Sequence, residues 1–146
     1  ESCVALTFEL VDLIKEKKIY YKIHPEQYDY KAEVADVFSE YSNVEVISDE
    51  MNNTELFNSC NHVVGVRSTI LYTALQAGKN VYLYNGSNYD IDKYLVDYAE
   101  SFKHAMELIK LIDNAADKTP NIPPVFIQQF DPKKFMQILE NMSSCK

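Results

Sequence analysis

Two short runs in this chain place side chains able to hold an anion directly behind apolar runs. The first is His24-Pro25, which follows "IYYKI" (19–23). The second is Arg67-Ser68-Thr69, which follows "HVVGV" (62–66) and opens a helical pattern closed by Gly78. Pro25 holds its own φ and drives the preceding residue towards extended backbone, so His24 is expected to aim its imidazole in a fixed direction. Arg67, Ser68 and Thr69 fall at a helix start, where unpaired amide N–H groups and the positive end of the dipole favour a phosphate or carboxylate. Hydroxyls add donors there without the bulk that would block its approach. Each run also has a plainer reading. Ser or Thr ahead of a helix is a cap, His-Pro is a turn, and Arg67 is a solvated surface cation. Two such breaks at one edge of a single sheet tilt the reading towards an anion site made of His24, Pro25, Arg67, Ser68 and Thr69. His62, at a strand start, and His104, on an expected helix, read as structural.

The elements that must position these residues alternate along the chain. "CVALTFELVDLIKEKK" carries Val4, Phe8, Val11 and Ile14 at helical spacing, with Leu6, Leu10 and Leu13 widening the apolar face. "IYYKI" is a β-branched and aromatic run. Residues 32–41 return to helical spacing through Val34, Val37, Phe38 and Tyr41. "VEVIS" (44–48) reads as a strand, and "NNTELFNS" as a short helix capped by Asn53 or Thr54. Residues 62–66 and 80–85 read as further strands, with a helix over 69–77 between them and Gly78 as its left-handed terminator. Ile91, Tyr94, Leu95, Tyr98, Phe102, Ala105, Ile109 and Ile112 predict a long helix, with a break near 101–104. "DKTPNIPP" is a loop. A last amphipathic helix over 132–142 holds Phe135, Ile138, Leu139 and Met142, an apolar patch expected to dock or to self-associate.

Short apolar strands separated by helices predict a parallel sheet covered on both faces, a Rossmann-like doubly wound α/β domain. Ligands of such sheets sit beyond the carboxyl ends of the strands. The reading is one domain over residues 1–146, with 113–146 a C-terminal loop and helix extension. The pattern opens on a helix, so a further strand ahead of Ser2 is expected, and with it a larger protein of which this is the back half.

Composition narrows the function. With 22 acidic residues against 14 Lys and Arg, the net charge is -8, which argues against a nucleic-acid partner, since phosphate backbones demand clustered cations. One small phosphate site is compatible with it. Cys3, Cys60 and Cys145 match no metal or disulfide spacing, so reduced thiols and a cytoplasmic location are expected. No metal is expected, Asp49-Glu50 being a weak candidate. No run approaches the ~20 apolar residues of a membrane span, and the first residues lack the basic start of a signal peptide. Neither G-x-G-x-x-G nor a P-loop nor G-x-S-x-G is present.

"YYKIHPEQ", followed some forty residues on by "HVVGVRSTILYTALQAGKNVYLY", resembles the C-terminal half of GT-B glycosyltransferases of bacterial surface polysaccharide synthesis. The parallels are polysialyltransferases and related sialyltransferases, with a His-Pro and a later Ser or Ser-Thr motif, and teichoic-acid glycerophosphotransferases, with "K-x-H-P" and a hydroxyl pair before a helix. The resemblance spans roughly residues 3 to 112. It implies a donor-nucleotide-binding domain in which His24 acts on the donor phosphate, as the catalytic residue of this half. Ser68 and Thr69 would hold the phosphate or a sugar carboxylate. The donor, a CMP-sialic-acid-like or a CDP- or UDP-linked sugar, is substrate, with no other cofactor. An N-terminal acceptor domain would bring the general base, so this half alone is expected to be inactive. Peripheral membrane association of the full-length enzyme follows from the same resemblance. Two other readings stay open: a non-catalytic α/β binding or interaction module, and a UDP-sugar epimerase-type domain of the same fold.

Overall fold

The computed structural model describes residues 2–86 and 90–115. The expected loop 117–124 and helix 132–142, with its apolar patch, and Cys145 lie outside them. The elements run α1 (Ser2–Leu13), β1 (Ile19–Lys22), a 3-10 helix (Pro25–Tyr30), α2 (Lys31–Val37), β2 (Val44–Ile47), α3 (Asn53–Ser59), β3 (His62–Gly65), α4 (Thr69–Gln76), β4 (Asn80–Tyr84), β5 (Glu100–Phe102) and α5 (Ala105–Ala115). This is an α/β chain whose strands are all parallel to their partners, in two small sheets. One holds β1 and β2; the other has the order β3-β4-β5.

β4 explains why the second sheet holds. It is flanked by a strand on each side, and its side chains alternate between two cores. Val81 and Leu83 pack with Phe57 of α3, with Leu71, Ala74 and Leu75 of α4, and with Leu95 and Ala99. Tyr82 and Tyr84 face the other way, onto Leu6 and Leu10 of α1, Phe102, and Ala105 and Leu108 of α5. A strand apolar on both sides is what a parallel sheet requires, because its crossover helices cover both faces.

Local chemistry sets the helix ends. Asn52 caps α3: its side chain accepts from the Glu55 N–H at 3.0 Å, and the Glu55 carboxylate accepts from the Asn52 N–H at 3.0 Å. The cap therefore lies one residue ahead of the expected Asn53 or Thr54. Past α4 the chain makes a Schellman turn. Gly78 sits at φ 70, its N–H donates to Leu75, and the Lys79 N–H donates to Ala74.

Of the long helix expected over 91–112, the part past the expected break forms, as α5, and the part before it does not. Asp92 starts an isolated set of turns: its side chain accepts from the Tyr94 N–H at 2.9 Å and its carbonyl from the Leu95 N–H at 3.0 Å. Residues 100–102 then become β5, alongside Tyr82, Leu83 and Tyr84. The carboxyl edge of β4 offers N–H and C=O groups that must be paired, and Asn85 N–H donates to Phe102 C=O at 2.7 Å. Leu95 and Ala99 are buried, so the apolar spacing recorded a core contact and not a continuous helix. His104 is consequently ahead of α5, its carbonyl accepting from Glu107 and Leu108.

α1 ties the two sheets together. Phe8 meets Phe38 and Tyr41 at ring distances of 5.1 and 5.8 Å, while Leu6 and Leu10 pack on β4 and α5. Burial, and secondarily the Cys3 thiol, raise the Tyr21 phenol pKa; burial, Glu9 and Cys3 raise that of Tyr84. The Glu9 carboxylate accepts from the Ala105 N–H at 3.4 Å, which ties α1 to the start of α5. The far end of α1 is held by Asn43, just ahead of β2, whose amide donates to the carbonyls of Val11 (3.4 Å) and Ile14 (3.5 Å). Burial and then Lys17 lower the pKa of His62, the first residue of β3.

Leu83 is completely buried on the central strand. Leu83→Ala should cost about 2–5 kcal/mol of unfolding free energy, read from the midpoint of urea denaturation. Val64→Ala, on the exposed side of β3, should cost much less.

Candidate functional site

The carboxyl edge of the parallel strands collects the polar groups. Behind β1, Ile23 is buried and donates to Ile47 at 2.9 Å, which closes the ladder. His24 then leaves the sheet in extended backbone (φ -66, ψ 142), as Pro25 requires. Its Nδ1 accepts from the Glu26 N–H at 3.3 Å, and its carbonyl from the Gln27 N–H at 2.8 Å. His24 is thus the cap of the 3-10 helix. An Nδ1 that accepts puts the proton of a neutral imidazole on Nε2, which is then a donor. The side chain is 60% exposed, and the Glu26 carboxylate lies 3.7 Å from Nδ1.

Behind β3, Arg67, Ser68 and Thr69 are all exposed. Ser68 is extended (φ -170, ψ 146), and its Oγ accepts from the Ile70 N–H at 3.4 Å while its carbonyl accepts from Leu71 at 3.1 Å. Ser68 is therefore the cap of α4, and its hydroxyl hydrogen remains available. Thr69 begins the helix proper, and its carbonyl accepts from the Thr73 hydroxyl at 3.4 Å. Among the described residues no carboxylate pairs with Arg67.

A third group stands behind β2, and no motif announced it. Lys22, the last residue of β1, donates to the carbonyls of Ser48 and Met51. Ser48 donates from its hydroxyl (2.5 Å) and its N–H (3.1 Å) to Glu50, whose other oxygen meets Lys31 at 2.5 Å. The sequence signal was a strand ending on a cation, "IYYK", beside one ending on "SDE". The group braces the carboxyl ends of β1 and β2. Lys31 is neutralised by Glu50, whereas Lys22 meets only carbonyls there and keeps its charge at this edge.

The structure puts His24-Pro25 behind the carboxyl end of β1 in one sheet and Arg67-Ser68-Thr69 behind that of β3 in the other, not at one edge of a single sheet. No hydrogen bond or ion pair joins the two groups among the described residues. His62 is structural: it stacks on Tyr82 at 5.9 Å and its Nδ1 lies 3.1 Å from the Tyr82 hydroxyl. Cys3 and Cys60 are free thiols. Among the described residues no three His, Cys, Asp or Glu gather to hold a metal ion, and no helix is long and apolar enough to cross a membrane. A shallow groove lined by Leu13, Ile14, Ile109 and Ile112 lies between the end of α1 and α5.

What these groups offer chemically is hydrogen-bond donation. N–H, O–H and guanidinium donors are present, and the carboxylates with resolved partners are engaged: Glu50 by Lys31 and Ser48, Asp92 by the Tyr72 hydroxyl at 2.7 Å. Comparison of the chain with protein-family models, curated proteins and solved structures gives no match.

Lys31, then the Ser48 hydroxyl and the Glu50 N–H, hold the Glu50 carboxyl down from the ordinary 4.5 to about 2. A carboxyl depressed on folding stabilises the fold above its unfolded value and loses that contribution as pH falls through the folded one. Stability should therefore decline between about pH 4.5 and pH 2, and Glu50→Gln should flatten that part of the curve, measured as denaturation midpoints across the window.

Proposed function

We propose that the chain is the donor-binding domain of a GT-B glycosyltransferase that builds bacterial surface polysaccharide, a Rossmann-like doubly wound half that holds a nucleotide sugar by its phosphate. The observation that carries this reading is the like placement of the two motifs. A His-Pro and a Ser-Thr, each behind the carboxyl end of a parallel strand, both remain exposed with donors unspent.

In this reading the donor phosphate lies over the start of α4. The outward hydroxyls of Ser68 and Thr69 and the Arg67 guanidinium donate to its oxygens, and His24 donates from Nε2. As the glycosidic bond to the nucleotide breaks, negative charge grows on the leaving phosphate. Donors already aimed at it stabilise that charge without reorganising. The acceptor and its general base come from another domain, so this half binds donor without turning it over. Such an enzyme works on the cytoplasmic side of a membrane that it touches peripherally.

The test is calorimetry with cytidine and uridine diphosphates and monophosphates. Replacing Ser68 and Thr69 together by Ala removes a cap, at about 1 kcal/mol of stability. It should also weaken nucleotide binding roughly ten- to a hundredfold, the worth of one charge-assisted hydrogen bond at ~1.5–3 kcal/mol. His24→Ala should weaken the same nucleotide. Equal affinities in wild type and both variants would reduce the two motifs to a helix cap and a turn.

A further inference from the structure

Tyr82 carries a hydroxyl into the core of the second sheet. The residue is 3% exposed, among Leu6 and Leu10 of α1 and Phe102, Ala105 and Leu108. A buried phenol must place its hydrogen on an acceptor. Among the described residues the partner of this one is Nδ1 of His62, 3.1 Å away, and the two rings stack at 5.9 Å. Burial, and then the carboxylate of Glu100 on β5, push the phenol up to about 12. Tyr82 therefore keeps its proton and donates it to a bare Nδ1. The neutral His62 ring then carries its own hydrogen on Nε2.

Register explains why these two side chains meet. Val64 lies opposite Tyr82, and His62 opposite Asn80. Side chains alternate along a strand, so His62, Val64 and Tyr82 share one face of the sheet. Val64 is 37% exposed, so the cover of this face thins over β3, and the His62 ring closes over Tyr82 where it does. β3 is also the end strand of its sheet, paired with β4 alone among the described residues. Its amino end rests on two things. One is the ladder, in which the Asn80 N–H donates to the Asn61 carbonyl at 3.0 Å. The other is the ring pair.

A proton on Nδ1 undoes this arrangement. Both ring nitrogens then donate, and the hydroxyl meets a second donor in place of its acceptor. If the hydroxyl turns round to accept, its own hydrogen is left unpaired in the core, which costs the desolvation of a polar group. Burial first, and then Lys17 from the turn between α1 and β1, disfavour a charged imidazole at this position. Glu100, the other charged group here, bears on Tyr82. His62 itself is half-buried, so its ring reaches water by rotating its own side chain.

We infer that His62 and Tyr82 form a proton-sensitive latch at the amino end of β3, closed while the imidazole is neutral and released when it takes up a proton. Release turns the charged ring out to water, bares the Tyr82 hydroxyl and leaves the end of β3 held by its ladder alone. Acid thereby loosens the strand that carries Arg67-Ser68-Thr69 behind its other end. The inference rests on the ring pair and its register, independently of any nucleotide. The folded ring resists a proton that the unfolded chain accepts at 6.5, so stability is full above that pH and falls below it. Each unit by which the folded midpoint lies lower is a tenfold change in the opening equilibrium.

The test is an NMR titration of the His62 ring in the whole chain from about pH 8 to about pH 5, across the imidazole range. Exchange of the Asn80 amide, corrected for its intrinsic pH dependence, is followed over the same window. In wild type His62 should titrate below 6.5, and the Asn80 amide should lose protection several-fold as it does. Tyr82→Phe keeps the stacked ring and removes only the hydroxyl, so the His62 midpoint should move up as the neutral ring loses its donor. His62→Phe keeps an aromatic ring over Tyr82 and cannot titrate, so Asn80 protection should become independent of pH in this window. A fall in protection that survives His62→Phe would overturn the latch. So would a His62 midpoint at or above 6.5, or one that Tyr82→Phe leaves in place.

Discussion

Parallel pairing is the constraint from which the rest of this structure follows. Two parallel strands cannot be joined by a tight turn, so each return needs a crossover, and the crossovers must lie on the faces of the sheet. β4 bears the consequence most directly. Val81 and Leu83 belong to one core and Tyr82 and Tyr84 to the other, so a single strand of five residues joins two packed layers. The helices above and below are held by what β4 presents, and α1 reaches its place by packing Leu6 and Leu10 onto that same strand.

The same constraint decides where function can sit. Every strand of a parallel set ends at one edge, and the loops behind them are the only backbone there free to carry polar side chains. Lys22, His24, Ser48, Glu50 and Arg67 take their places because their strands end there, not because local contacts drew them together. Of the carboxylates behind these strands, Glu50 is spent on Lys31 and Ser48, while Glu26 stands exposed beside His24.

The strands were legible because β-branched and aromatic runs bounded by polar breaks have few other uses. Four runs, 19–23, 44–48, 62–66 and 80–85, each became a parallel strand within a residue of its expected end. The run from Ile91 to Ile112 was not legible. Leu95, Ala99, Phe102 and Ala105 are all buried, and their spacing of three or four suits a helix as well as it suits turns leading into an edge strand. Only the unpaired edge of β4 decides between them, and an edge is a tertiary fact. The site divides in the same way. Backbone rules foretold extended His24 and the α4 start at Ser68, because proline and capping act within a few residues. The brace of Lys22, Ser48, Glu50 and Lys31 joins residues up to 26 apart, and only the polar endings of the two strands hint at it.

Cap and anion site are usually set against each other, and the geometry of Ser68 shows why they need not be. As a cap its oxygen must accept, and it does so from Ile70 at 3.4 Å, a long and therefore weak bond. As a phosphate ligand its hydroxyl must donate, and that hydrogen has no partner in the capping bond. The two roles use different atoms of one group. His24 repeats the division: Nδ1 accepts from Glu26 and fixes the ring, so Nε2 is left as the donor. In both residues the capping bond sets the direction in which the remaining donor points. Preorganisation of that kind costs the binding step little entropy. A helix start and a turn that merely capped themselves would have the same bonds and keep the same donors, so a bound anion, and not the cap geometry, is what separates a site from an ordinary cap.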